Sequence, residues 1–190
     1  MSQATRRPLL LLWAAAAFPL GVRFLRRSLQ RSIVAVEVSG GSMAPALRGG
    51  DFILVRRRRL PRDAFGMVAY LRGPAGRPLL KRIVGVPGDS VRAGPHVEIH
   101  GRPLRERYAH GEPLPRRYRG VHQLAPDEYF VLGDHRATSM DSRDFGPVRA
   151  ADIHGVAWIR YWPPGRMGRL MRPKRVFEGG GSDSRPDLVP

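Results

Sequence analysis

From Ile33 onward the chain shows no stretch with the apolar period of an amphipathic helix. Its apolar residues come instead in short β-branched and aromatic runs cut apart by Gly and Pro. The runs are IVAVEV (33–38), DFILV (51–55), GMVAYL (66–71), LLKRIVGV (79–86), SVRAG (90–94), HVEIHG (96–101), DEYFVLG (127–133) and DIHGVAWIRYW (152–162). Runs this short, with turn residues at such close intervals, predict a mostly antiparallel β domain over 32–163, a compact sheet or barrel-like body. Residues 102–125, rich in Pro and Arg, predict an excursion between strands. No internal repeat is present.

The ends have a different character. Residues 1–31 hold a basic and apolar segment in which LLLLWAAAAFPLGV (9–22) follows Arg6 and Arg7. Those fourteen residues make about 21 Å of helix, short of the roughly 30 Å hydrocarbon layer. Phe24 and Leu25, with Arg23 snorkelling, bring the stretch nearer to a span. The expectation is an N-terminal membrane-anchor helix, single-pass; a cleaved leader has the same basic-then-apolar form. Arginines flank both sides, so charge does not orient it. Residues 164–190 read as a tail, basic at first and disordered over 178–190.

The chain has 190 residues, a formal charge of +17 and no cysteine. Disulfides, thiolate metal sites and a thiol nucleophile are thereby excluded. The charge attracts anions, either nucleic acid or the anionic head groups of a membrane. Positive charge is carried almost wholly by arginine, and Lys81 and Lys174 are the two lysines. Lysine can lose its proton when desolvated, whereas arginine effectively cannot.

Three segments collect chemistry. In SGGSMAPAL (39–47) Ser42 follows Gly40 and Gly41 at the exit of an apolar run, and Pro45 forbids a continuing central strand. That is where a nucleophile would be presented outward, although a polar strand-to-turn junction has the same composition. In LLKRIVGVPGDS (79–90) alternation puts Lys81 on one face and Arg82 on the other, so whichever face is inward carries a charge. An inward Lys81 acting as a base near neutral pH needs a pKa lowered by roughly 3 from about 10.4, about 4 kcal/mol of disfavour for its charged form. An edge strand with both side chains in water is the alternative. In GDHRATSMDSRDFGPV (133–148) Asp134, Ser139, Asp141, Ser142 and Arg143 gather after an apolar strand. They suit a local turn, or a scaffold in which a hydroxyl orients a neighbouring base and an Asp–Arg pair holds the loop.

In order, these segments resemble the type I signal peptidases, membrane-anchored serine proteases with a Ser–Lys dyad. SGGSMAPAL resembles the nucleophile box, GDFILV (50–55) the short box after it, KRIVGVPGD (81–89) the lysine box and GDHRATSMDSRDFG (133–146) the final box. The resemblance implies Ser42 as nucleophile, Lys81 as general base, Ser139 as the hydroxyl positioning the lysine, and Asp141 and Arg143 as structural support. Gly40 and Gly41 would form the oxyanion and substrate loop. It further implies leader peptides of exported precursors as substrates, bound as an added strand, with no metal and no cofactor. The catalytic domain would lie on the extracytoplasmic side of the cell membrane, against anionic lipid.

Two departures are visible. Gly40 stands where some members of that family carry a serine that assists the oxyanion, so backbone N–H groups, Ser42's own first, would hold it. His135 replaces the usual Asn of the final box. Other readings fit less well. A Ser-His-Asp hydrolase lacks Gly-x-Ser-x-Gly, and His96/His100 fall in a strand-like run unsuited to helical metal ligation. A self-cleaving DNA-binding repressor shares the Ser–Lys chemistry and suits the charge, but no helix-turn-helix precedes the domain, so no nucleic acid is expected. A dedicated maturation protease for one partner, such as a nickel-type superoxide dismutase, is compatible with the compact domain.

Overall fold

The computed structural model describes residues 32–111 and 120–179. The stretch 9–25 expected as an anchor lies outside them, as does nearly all of the tail expected as disordered. Among the described residues no helix is long and apolar enough to cross a membrane.

Each apolar run carries a strand. In chain order these are β1 (Ile33–Glu37), β2 (Phe52–Arg56), β3 (Val68–Arg72), β4 (Pro78–Gly85), β5 (Ser90–Ala93), β6 (Val97–Ile99), β9 (Glu128–Leu132) and β11 (Ile153–Trp162). Four shorter pairings lay no apolar pattern in the sequence: β7 (Arg102–Pro103), β8 (Val121–Gln123), β10 (Val148–Arg149) and β12 (Gly168–Arg169). The large sheet has the order β1-β2-β11-β3-β4-β9-β10, with β12 added to β11, and the small sheet the order β7-β6-β5-β8. All of these pairings are antiparallel.

The large sheet is open, which corrects the barrel-like expectation. Closure requires its two outer strands to pair, and β10 is only two residues long. The open sheet is covered instead. Ile83, Val84, Phe130 and Leu132 of the large sheet share one buried cluster with Val91, Val97 and Ile99 of the small one. A second cluster, with Met43, Leu47, Ile53, Val55, Val68 and Ala157, lies under the chain that follows β1.

Strand β4 lies between β3 and β9, so Lys81 through Gly85 are buried on both faces. That explains a continuous apolar run where a half-exposed strand would alternate. Strand β11 is pressed just as tightly. A Cβ on Gly155 would come within 2.6 Å of the Arg56 carbonyl oxygen. The basic segment after Pro164 packs on the domain, with Phe177 buried and bridged to Leu104. Arg175 is also ion-paired to Asp89 at 2.5 Å.

Candidate active site

The loop 39–50 leaves β1 and returns to β2, and its neck is closed by backbone bonds from Val38 to Asp51 and from Gly50 to Val38. Inside it, Met43 and Leu47 are buried, so the loop is anchored by its apolar side chains. Asp51, 1% exposed, accepts from the Arg48 amide and from Arg166 at 2.8 Å. Arg160 reaches the Ala46 carbonyl at 2.7 Å. Gly40, with φ of 87°, occupies the left-handed region that glycine favours, and a Cβ there would meet open space. Gly41 is likewise exposed, and its carbonyl accepts the turn bond from Ala44.

This loop delivers Ser42 to Lys81. The lysine amine donates to Ser42 Oγ at 2.7 Å, and Lys81 is only 2% exposed. Burial lowers its pKa from 10.5 to about 8; Asp141 opposes that fall and Arg143 assists it. The alternative of an edge strand with its lysine in water is thereby ruled out.

The segment after β9 closes the site from the other side. The His135 backbone N–H donates to the Ser42 carbonyl at 3.0 Å. Gly133 is wedged at the same point, since a Cβ there would come within 2.2 Å of Ser139 Oγ and 2.5 Å of the Ser42 carbonyl oxygen. Ser139 is fully buried beside that contact. Its Oγ makes no bond within hydrogen-bond limits among the described residues, although its hydroxyl lies near enough to help hold Asp141 ionised. Asp141 caps the short helix Ser142–Phe145 and is gripped by Arg143 through two 2.8 Å bonds. Burial works against its charge, but the Arg143 bonds prevail and hold the carboxyl below the usual range. Arg143 also donates to the Arg136 carbonyl at 2.8 Å.

Several supporting contacts were not read from the sequence. Arg82 is as buried as Lys81 and clasps Asp134 through bonds of 2.7 and 2.6 Å. Arg136 clasps Glu106 in the same way, at 2.7 and 2.6 Å, and donates to the Gly133 carbonyl at 3.0 Å. The alternation of Lys81 and Arg82 signals one buried charge; only the position of β4 inside the sheet makes it two. The His135 side chain bonds Thr138 rather than the dyad, so the contribution of this position to Ser42 comes from its backbone.

Beside Ser42 and Lys81 lies a groove of about 180 Å³, with Val36, Val38 and Met43 on one side and Tyr70, Leu79 and Leu80 on the other. β4 pairs with β9 only from Arg82 onward, and β1 pairs only with β2. The edges of Leu79–Lys81 and of β1 are therefore free of strand partners among the described residues, the arrangement an added peptide strand uses. Among the described residues no cluster of His, Asp or Glu suits a metal ion.

The family described as "Signal peptidase, peptidase S26" matches residues 11–162. The "Signal peptidase I" of Streptococcus pneumoniae (strain R6) is 30% identical over 172 residues, covering 70% of this chain and 84% of that protein. The "Signal peptidase I" of Leptolyngbya laminosa is 40% identical over 96 residues, 50% of this chain and 46% of that protein, so the chain spans about half that relative's length. A crystal structure of a signal peptidase I from Enterococcus faecalis V583 shares 27% identity over 51% of this chain and 97% of that one, with a TM-score of 0.42. The chain belongs to the signal peptidase family of peptidase S26.

Proposed function

We propose that this chain is a serine endopeptidase that removes N-terminal leader peptides from exported precursors, with Ser42 as nucleophile and Lys81 as general base. The observation that carries it is a desolvated amine, its pKa lowered to about 8, at 2.7 Å from a serine hydroxyl beside a groove between β1 and β4. A neutral Lys81 accepts the Ser42 proton as the oxygen attacks the scissile carbonyl. Backbone donors in the loop, the Ser42 N–H first, face the oxyanion, since Gly40 supplies no hydroxyl. Collapse breaks the C–N bond and Lys81 protonates the leaving amine. Water, deprotonated by the same lysine, then releases the acyl group and regenerates Ser42.

Ser139 is the hydroxyl we assign to orienting Lys81, a role suited by its burial beside Gly133 and Asp141, although its Oγ makes no bond to the lysine here. The Asp141–Arg143 pair keeps the 139–145 loop rigid. The groove takes an extended peptide against β1 and Leu79–Lys81, with small residues next to the dyad. The apolar stretch 9–25 holds the domain at the extracytoplasmic face of a membrane with anionic lipid.

The test incubates the full chain in nonionic detergent with a panel of precursor peptides and reads the cut sites by mass spectrometry. Wild type is expected to cut after small residues, while Ser42→Ala and Lys81→Arg, both folded, cut nothing. Arginine keeps the charge but is no base at ordinary pH, so near-wild-type turnover by folded Lys81→Arg refutes the dyad.

A further inference from the structure

On the sheet formed by β2, β11 and β3, away from Ser42, lies a depression of about 330 Å³. Arg56, Arg58, Arg169 and Arg172 line it. Arg172 is ion-paired with Asp63. Arg58 and Arg169 have no carboxylate partner among the described residues, so the site carries uncompensated positive charge. Arg56 stacks over the Trp158 ring at 4.6 Å. The indole N–H of Trp158 is buried with no hydrogen-bond partner among the described residues. Apolar side chains complete much of the lining, among them Val156, Ala157, Leu170 and Met171, the last 76% exposed.

A guanidinium rim selects a phosphate, while an apolar floor selects hydrocarbon. One molecule that carries both is an anionic phospholipid. The path of the chain favours that source over a free anion. Ser32, the first described residue, accepts a 2.7 Å bond from the Arg57 amide, so the chain enters the domain beside the rim. Seven residues before Ser32 the apolar stretch 9–25 ends, and Arg26, Arg27 and Arg31 lie between. If that stretch is embedded, the depression cannot be far from the head groups.

We infer that this depression is a binding site for an anionic phospholipid, with the phosphate on Arg58 and Arg169 and an acyl chain along Val156, Leu170 and Met171. The inference rests on the proposed membrane attachment, and its test separates the two. Flotation of the full chain with phosphatidylcholine vesicles at high salt reads attachment alone. The site itself is read in nonionic detergent, by titrating phosphatidylglycerol or phosphatidylcholine with brominated acyl chains. Quenching of Trp158 is taken as the difference between wild type and Trp158→Phe.

Phosphatidylglycerol is expected to quench Trp158 and phosphatidylcholine to do so weakly. Arg58→Gln/Arg169→Gln should need about thirty-fold more phosphatidylglycerol, the loss of two surface charges. The double variant should still cleave peptide at the wild-type rate, and Arg58→Lys/Arg169→Lys should keep most of the affinity. Equal quenching by the two lipids overturns the site, whatever the flotation result. Displacement by millimolar inorganic phosphate, or by a single-stranded oligonucleotide, overturns the lipid assignment. Flotation that fails while quenching persists refutes the anchor and leaves the site standing.

Discussion

The buried lysine makes a prediction that does not depend on any substrate. A folded-state pKa of about 8 against 10.5 for free lysine means that folding disfavours the charged form by about 3 kcal/mol at neutral pH. The sign follows from proton counts. Between these two pKa values the unfolded chain holds the Lys81 proton and the folded chain does not, so this group makes stability rise with pH across the window. The neutral-form stability is complete above about pH 10.5 and is lost as pH falls toward 8. Lys81→Met keeps an unbranched apolar stem and removes the titration. It also removes the bond to Ser42, worth about 1 kcal/mol.

The variant is therefore expected to be more stable than wild type by about 2 kcal/mol at pH 7. The advantage should shrink through pH 9 and vanish by about pH 10. The measurement is urea unfolding of both full-length proteins in the same detergent, followed by tryptophan fluorescence at each pH. Taking the difference cancels every other titrating group. A difference that stays flat from pH 7 to 10, or a variant less stable throughout, would show that Lys81 bears no such desolvation and would remove the physical basis for its role as a base.

Three other consequences can be measured directly. Wild-type kcat/KM for peptide cleavage should rise with pH through an apparent pKa of about 8, because only neutral Lys81 accepts the serine proton; a profile still climbing at pH 10 contradicts this. Asp134→Ala leaves Arg82 charged and unpaired in the core and should cost about 3–5 kcal/mol in denaturant unfolding, whereas Arg82→Met/Asp134→Leu should recover most of it. Gly133→Ala puts a methyl 2.5 Å from the Ser42 carbonyl oxygen and should lower kcat roughly 10²-fold with little change in KM.

Strand positions were legible because β-branched runs bounded by Gly and Pro have few other uses, and each such run carries a strand. Whether the sheet closes was not legible. Closure depends on which strands become neighbours, and β7, β8, β10 and β12 are too short to leave a pattern. The same limit applies at the candidate site. Lys81 beside an apolar run announces a buried charge, and the final segment announces the Asp141–Arg143 pair through local spacing. The Glu106–Arg136 clasp joins residues thirty positions apart, and the Asp51–Arg166 pair joins residues 115 apart. Neither has a local signature. The backbone bond from His135 to Ser42 is invisible for another reason: a main-chain donor is independent of the side chain that the sequence records.

Lys81 and Arg82 are neighbours with equal burial and opposite treatment. The guanidinium of Arg82 is met by the Asp134 carboxylate with two bonds. Lys81 receives a hydroxyl, and the carboxylate nearest in effect, Asp141, is already held by Arg143. Arg143 thus acts on the lysine twice, repelling its proton and neutralising the group that would retain it. Arg143→Gln removes both effects while Asp141 keeps its bonds from the Gly133 and residue-143 amides. The Lys81 pKa should then rise, and the rising limb of kcat/KM should move to higher pH. The variant should be poorer than wild type at pH 8 and approach it near pH 10. The assay is the same peptide cleavage, with folding checked by near-UV circular dichroism at each pH. An unmoved profile would mean that Asp141 takes up a proton when released, so that its charge never reaches the lysine. An acid shift would reverse the sign and refute the coupling. An alkaline shift would make Arg143 a positioning residue that sets the pH range of the dyad without touching the substrate.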